Sequence, residues 1–329
     1  MSAVIVDCGR ECRQHGRMRR PALRPDEMKA WAAEFRNASS RPFQMNVWVP
    51  ESPPVRDARH EAAVREFLAR WGPNVPPDAG NSVPPNFREQ CKALLEIRPT
   101  AASSIMGLFA ADFVRELKAR QIAWFATVTT VAEAQTAETA GADVIVAQGM
   151  EAGGHRGAFD SAKAERDLVG LMALVPAIVD TVRVPVIAAG GLGDGRGIAA
   201  ALALGASAAM IGTGFLRCPE ANLHPAWANA LAETMPEGTM LSRAFSGRPG
   251  RTIATGYARA AADSSSAPPP APYPVQRGLT AAMRQDAQRL GDVQRMQAWA
   301  GQSARLARAE PAAQLIDRIW KEAKALLGC

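Results

Sequence analysis

No apolar run in this chain reaches the roughly 18 residues that a bilayer-crossing helix needs, so no membrane span is expected. Aromatic residues are scarce: 10 Phe, 7 Trp and 2 Tyr among 329 residues, so each Trp matters individually. Trp48 and Trp124 are the candidates for a pocket or barrel wall, and the other tryptophans read as packing residues. Cysteine is sparse, odd in number and scattered, at Cys8, Cys12, Cys91, Cys218 and Cys329. That excludes a disulfide framework and favours a reducing cytosol. Cys8 and Cys12 with His15 faintly resemble a metal knuckle, but no second ligand pair follows at a zinc-like spacing, so no metal site is expected. The start lacks a signal-peptide hydrophobic region, and its arginines are interleaved with acids, unlike a transit peptide. A cytoplasmic protein is the expectation. The net charge is +6. Six Arg against Asp7 and Glu11 within residues 1–24 account for most of it. The rest of the chain is close to neutral, and no nucleic-acid partner is expected.

What is present is an alternation of apolar strand-like runs with helical patterns. Strands are expected at 43–49, 101–108, 121–128, 143–147, 184–189 and 207–211. Helices are expected at 54–70, 86–97, 110–120, 168–182 (bent by Pro176) and 195–204. Between Thr130 and Gly141 lies another helix, begun by a Thr130–Glu133 capping box. The Pro-, Gly- and Asn-rich loop 72–86 is long enough for a lid. After residue 217 the pattern changes: 218–258 looks helical and irregular, 263–274 is low-complexity, and 276–308 and 311–327 look helical. This β-α repetition implies a parallel sheet with right-handed crossovers. Six strands are visible where a closed (β/α)8 barrel needs eight.

Chemistry concentrates at the ends of three strands. The strand at 143–147 runs into Gln148-Gly149-Met150-Glu151-Ala152-Gly153-Gly154-His155-Arg156-Gly157. That places an amide, closely spaced glycines and an imidazole where α/β barrels bind ligands. An unperturbed imidazole titrates near neutral pH, and so suits a base acting on a carbon acid of moderate acidity. As an imidazolium it would attract an anionic substrate. Glu151 and Arg156 read as a loop-ordering pair. One unit later, Pro185 to Gly197 holds a glycine cluster around Gly190 and Gly191. Met210-Ile211-Gly212-Thr213-Gly214 repeats the device. Two consecutive clusters match a barrel phosphate site, with backbone N–H groups at helix starts and the Thr213 hydroxyl as donors. The acidic ribose position of a Rossmann unit is missing, so a mononucleotide suits the site better than NAD. Cys218, His60 and His224 read as structural or solvated.

These motifs resemble the nitronate monooxygenase family, formerly called 2-nitropropane dioxygenases. The likeness rests on the segment 148–157, on Ala126 to Thr130 and Gly141 to Asp143, and on Pro42-Phe43 with Asn46. Pro185 to Gly197, Ile211 to Thr213, Phe245 to Arg248 with Arg251, and Trp299 with Gly301-Gln302 extend it over residues 23–329. The resemblance implies an FMN-dependent TIM barrel with a smaller, mostly helical second domain. It places FMN contacts on Asn46, Gln148, Gly153, Gly190, Gly191, Met210, Gly212 and Thr213, with Met210 standing where the family commonly has Gln. It makes His155 the general base, or the residue that positions an anionic nitronate beside the flavin. It implies oxidative denitrification of nitronates or nitroalkanes with O2, and a homodimer is compatible with it. The runner-up on the same scaffold is an FMN-dependent NAD(P)H oxidoreductase acting on quinones or enoyl thioesters.

The family opens with a flavin-contacting first strand that residues 1–22 do not show. The expected division is a basic segment 1–22 and a barrel 23–217 carrying family strands 3–8, with 72–98 a candidate part of the cap. A substrate-side domain 218–298 and a C-terminal helix in 299–329 follow. The missing strands have three readings: a mis-called start, a genuinely shortened paralogue, or replacement of one strand by Ala3 to Val6. The first is preferred, because two absent strands would expose sheet edges. This chain is then expected to bind FMN weakly, and an inactive truncated barrel with no cofactor is the third functional alternative.

Overall fold

The structure, a computed structural model, describes residues 23–328 and the backbone of 4–7. The candidate knuckle at Cys8, Cys12 and His15, and Cys329, lie outside the described residues. Ten strands are described: β1 (Val4–Asp7), β2 (Gln44–Trp48), β3 (Ala101–Ile105), β4 (Ala123–Val128), β5 (Val144–Gln148), β6 (Gly154–His155), β7 (Val186–Ala189), β8 (Ala208–Ile211), β9 (Thr239–Ser242) and β10 (Gly250–Ile253). Six of them form a curled parallel sheet in the order β2-β3-β4-β5-β7-β8, as the strand pattern predicts. This is the α/β architecture of the TIM-barrel class. β1 adds to the free edge of β8 but runs antiparallel to it, pairing Val4 with Ile211 and Asp7 with Ala208. Val4 to Asp7 therefore takes a strand position beside β8, in the opposite direction from a barrel strand.

Side chains on a strand alternate between faces, and here the two faces differ sharply. Outward-facing Met45, Val47, Ala102, Trp124, Ala126, Ile145, Ala147, Ala188 and Ala209 join helix side chains such as Leu94, Leu117, Leu174, Ile178 and Ile198 in the main core. The inner face has only a small apolar cluster. Val146, Ile187 and Ala208 are buried, with Phe125, Val144, Ala189 and Met210 partly covered. Towards β2 the inner face turns polar: Gln44 Nε2 donates to Ser103 Oγ at 2.7 Å, and Ser103 Oγ donates to Asn46 Oδ1 at 2.9 Å. The sheet's concave side is thus apolar under β5–β8 and polar under β2–β3.

Most helix boundaries follow their capping residues. Asp57, Asn86, Thr130 and Asp194 each accept backbone N–H groups at a helix start. The capping box is only half realised. Thr130 Oγ1 accepts from Glu133 N, but the Glu133 carboxylate accepts from Thr129 N (2.6 Å) and Phe159 N (2.7 Å). It ties down the chain that returns from the segment after β5. The helix expected at 168–182 is shorter, Leu171–Val179, and it runs through Pro176. The long helix expected at 276–308 is two short ones, Val275–Leu279 and Ala281–Leu290, closed by Gly291 in the left-handed conformation (φ 69°).

The largest correction lies in 218–258. Beside the helix Pro225–Glu233 it holds a β-hairpin, β9–β10, whose second strand pairs with β6 at Gly250–His155 and Arg251–Gly154. Its strands are only four residues long, too short for the period-2 pattern to stand out. A second apolar cluster joins Val64, Phe67 and Leu68 of the helix Ala58–Ala69 to Phe245, Tyr257, Val275, Leu279, Met283 and Trp299. The helix Phe87–Ile97 instead places Ala93, Leu94 and Ile97 in the main core.

The C-terminal helix Ala312–Leu327 packs on the helix Gly195–Ala203 through a backbone contact that only glycine permits. A methyl group at Gly195 would strike Glu322 Cβ and come within 2.7 Å of Ala323 N. Gly195→Ala is therefore expected to cost about 1–3 kcal/mol by overpacking. The loss would be measured as a lowered urea midpoint, and an unchanged midpoint would contradict this packing.

Candidate functional site

The site begins with the side chain of Gln148, the last residue of β5. Its Nε2 donates to His155 O at 3.1 Å, and its Oε1 accepts from Gly157 N at 2.8 Å. One amide therefore closes the whole excursion from 148 to 157, and β6 within it is further pinned to β10. Glu151 and Arg156 both order this loop, but they do so separately, which corrects the expected pair. Glu151 accepts from Leu171 N at 2.9 Å, while an Arg156 Nη donates to Gly149 O at 2.7 Å.

The loop delivers His155 into a cluster of aromatic side chains. Its ring lies 4.8 Å from Trp48, edge-on at 72°, and 4.8 Å from Trp299 at 59°. Trp48 in turn neighbours Tyr273 at 6.1 Å. His155 Nε2 sits 2.8 Å from the Ser246 hydroxyl on the β9–β10 turn. Burial pushes the imidazole pKa down from 6.5 to about 3, and the positive charges of Arg248 and Arg277 push the same way. Burial first, and the two nearby cations second, disfavour the imidazolium that would attract an anion and favour a neutral ring. Arg248 is itself buried, ion-paired with Glu51 at 2.7 Å and donating to Ala158 O at 2.8 Å.

The second half of the site is a corner where four backbone segments meet. Gly190 and Gly191 adopt left-handed conformations (φ 107° and 69°), and a methyl at Gly190 would come within 3.0 Å of Ala152 N. Gly301 N donates to Thr213 Oγ1 at 3.0 Å, Gln302 N to Glu151 O at 2.9 Å, and Ser303 Oγ to Leu192 O at 3.2 Å. Gly153 lies inside the same junction, where a methyl would be 2.8 Å from Thr213 Oγ1.

The helix start here is not an anion site, contrary to expectation. Asp194 accepts from the N–H groups of Arg196 and Gly197, and Glu322 accepts from Gly195 N. Two carboxylates occupy the positive end of the helix dipole and would repel a phosphate. The loops before the helices are different. Among the described residues, the N–H groups of Gly190, Gly191, Thr213 and Gly214 meet no protein acceptor. Thr213 Oγ1 already accepts from Gly301 N and keeps its proton to donate. That donor set is chemically suited to a phosphate ester, received by loop amides rather than by a helix end.

The remaining expected contacts are spread along the mouth. Met210 lies on the inner face beside Ala189, and Gly212 precedes the turn Thr213–Phe215. Asn46 is on the edge strand β2, across the sheet from the glycine corner. Trp48 stands at the site, whereas Trp124 is a core residue whose indole N–H donates to Ser104 Oγ at 3.0 Å. His224 caps the helix Pro225–Glu233, accepting from Ala226 N. Cys218 is buried, and burial pushes its thiol up to about 12, which removes it as a nucleophile. Ser246, Arg277, Tyr273 and Trp299 were not identified as site members. They lie 91 or more residues from His155 in sequence, so no local pattern connects them. Only the Phe245–Arg248 and Trp299–Gln302 motifs carried a trace.

Comparison with known proteins agrees with this geometry. The model of the nitronate monooxygenase family matches residues 20–322. The chain is 38% identical over 313 residues to a nitronate monooxygenase of Paraburkholderia phytofirmans, covering 92% of this chain and 84% of that one. It is 36% identical to a probable nitronate monooxygenase of Bacillus subtilis, over 91% and 86% of the two chains. Among solved structures, nitroalkane oxidase from Streptomyces ansochromogenes superposes with a TM-score of 0.81 at 33% identity, covering 92% of this chain and 87% of that chain. With its curled six-stranded sheet, glycine corner and buried imidazole, this chain belongs to the nitronate monooxygenase family of flavin oxidoreductases.

Proposed function

We propose that this chain is an FMN-dependent nitronate monooxygenase, which uses O2 to convert alkyl nitronates oxidatively, with release of nitrogen as an oxyanion. The observation that carries the reading is a buried imidazole packed between Trp48 and Trp299 and held by Ser246, on the same loop whose Gly153 meets Thr213 at the corner of loop amides. FMN would supply the electron acceptor and the reactivity towards O2. Gly190, Gly191, Gly212, Thr213 and Gly153 would hold its phosphate, and Asn46, Gln148 and Met210 would line the ring.

The protein's own groups define the rest. Arg277 supplies positive charge that favours an anion, while Arg248 is compensated by Glu51. Trp48, Trp299 and Tyr273 exclude water around the reacting carbon. His155 lies beside the reacting carbon, and with a neutral nitroalkane it takes the α-proton. That proton creates an imidazolium in a buried, cationic setting, so the step is uphill. A substrate that arrives already ionised avoids it. The second apolar cluster, built from 58–71 and 240–299, would form the substrate-side cap. Unpaired, buried Cys91 and Cys218 suit a reducing cytosol.

Oxygen uptake by the flavin-loaded chain is expected with alkyl nitronate, with kcat/KM at least about tenfold higher than with the parent nitroalkane. Anaerobic NADH is expected to leave the flavin oxidised. Rapid bleaching by NADH, with no oxygen uptake on nitronate, would favour the NAD(P)H oxidoreductase instead.

The depressed pKa of His155 also sets a pH dependence. The neutral form persists above the folded value of about 3, so the imidazole does not change charge as pH passes 6.5. A kcat/KM profile on preformed nitronate should therefore be flat between pH 6 and 7. A tenfold drop across an inflection near 6.5 would show that His155 is solvated and unshifted.

A further inference from the structure

The geometry points to Ser246 as the positioning residue that fixes which nitrogen of His155 faces the substrate. This rests on the reading of His155 as the group at the reacting carbon. Ser246 is completely buried on the turn between β9 and β10. Its Oγ lies within hydrogen-bond reach of three groups: His155 Nε2 at 2.8 Å, Arg248 O at 3.1 Å and Arg248 N at 3.3 Å. A hydroxyl has one proton to give. Arg248 N–H is a donor, so it uses an oxygen lone pair. The proton can go either to Arg248 O or to His155 Nε2.

The carbonyl decides between them. Among the described residues, the Ser246 hydroxyl is the only donor that Arg248 O receives. If the hydroxyl turned to the imidazole, that carbonyl would be left without a partner in a buried turn, which is costly. If the hydroxyl stays on Arg248 O, His155 must bring the proton to the contact as Nε2–H donating to Oγ. The Ser246 hydroxyl, the Arg248 carbonyl and the imidazole N–H are then all satisfied. A neutral imidazole protonated at Nε2 carries its lone pair on Nδ1.

Nδ1 is the open nitrogen. Among the described residues it makes no hydrogen bond, whereas Nε2 is taken by the Ser246 hydroxyl. The ring faces that remain are covered by Trp48 and Trp299. The turn that carries Ser246 is itself fixed. Gly247 has φ 86°, and a methyl there would lie 2.5 Å from Tyr273 N and 2.6 Å from the Pro272 carbonyl carbon. Ser246 therefore cannot follow the ring if the ring moves, and the contact acts as a stop.

Ser246 thus presents the Nδ1 lone pair to the substrate. With a neutral nitroalkane, the C–H bond breaks as Nδ1 takes the proton, and the C–H electron pair remains on the substrate as the nitronate. The imidazolium keeps Nε2–H on Ser246 Oγ, and the Ser246 proton stays on Arg248 O. Loss of Ser246 would let the ring exchange tautomers and populate Nδ1–H, which has no lone pair to offer. A nitronate has no proton to surrender and would notice the change far less.

The test has two arms on the full-length, flavin-loaded chain. In the first, the chain is labelled with ¹⁵N in its four histidines, and the His155 signals are assigned by their loss in His155→Gln. The wild type is expected to show a protonated Nε2 and a bare Nδ1. A protonated Nδ1 would overturn the proposal, whatever the substrate proves to be. In the second arm, Ser246→Ala should lower kcat/KM on nitroalkane by about 10-fold or more, at the low end of a general-base effect. On preformed nitronate it should change kcat/KM less than about threefold, with flavin content unchanged, and Ser246→Thr should restore the nitroalkane rate. Equal losses on both substrates, or an unaltered nitroalkane rate, would contradict a positioning role. Failure of the wild type to turn over either substrate would sink the functional reading instead, and leave the tautomer result standing.

Discussion

The site depends on one side-chain amide. Gln148 ends a buried strand and holds the loop that follows it at both sides, through His155 O and Gly157 N. A ten-residue excursion with four glycines has high conformational entropy, and glycine loses most on ordering. The amide is placed by β5, so the loop inherits the rigidity of the sheet. From that constraint follow the pairing of β6 with β10, the delivery of His155 between Trp48 and Trp299, and the approach of Gly153 to Thr213 and Gly301.

Charge placement divides the mouth of the sheet into two functions. Near His155, burial first and the cations Arg248 and Arg277 second push the imidazole pKa down. At the glycine corner the helix starting at Gly195 is already neutralised by Asp194 and Glu322. Those carboxylates serve the fold, because Glu322 also locates the C-terminal helix against Gly195. The anion capacity of the corner then falls to the loop amides alone. Such amides bind a phosphate without an opposing side-chain charge, and they are fixed in direction by the left-handed glycines.

Much of this was legible in the sequence, and the reasons are specific. Apart from β2, whose inner face is polar and partly exposed, the parallel strands read as largely buried apolar runs, so their positions came out within a few residues. The segment 148–157 and the clusters at 190–191 and 212–214 were visible because glycine spacing is a local signal. The hairpin β9–β10 was not, since its four-residue strands carry Arg251 and Ser242 inward to polar partners rather than an alternating apolar face. The neutral state of His155 was also hidden. It depends on Arg248, Arg277 and burial by Trp299, all distant in sequence. The Thr130–Glu133 signature located a helix correctly but misplaced its glutamate, because a tertiary partner, Phe159 N, offered a stronger demand.

The central claim is that one ligand bridges the glycine corner and the imidazole, with its phosphate on the loop amides. Calorimetric titration of the flavin-free chain with FMN and with riboflavin tests it most directly. The two ligands share the ring system and differ in the phosphate. With several charge-assisted hydrogen bonds at stake, FMN should bind with 1:1 stoichiometry and about 100-fold or more tighter than riboflavin. Equal affinities would show that the glycine corner is not a phosphate site, and the account of the active site would have to be rebuilt.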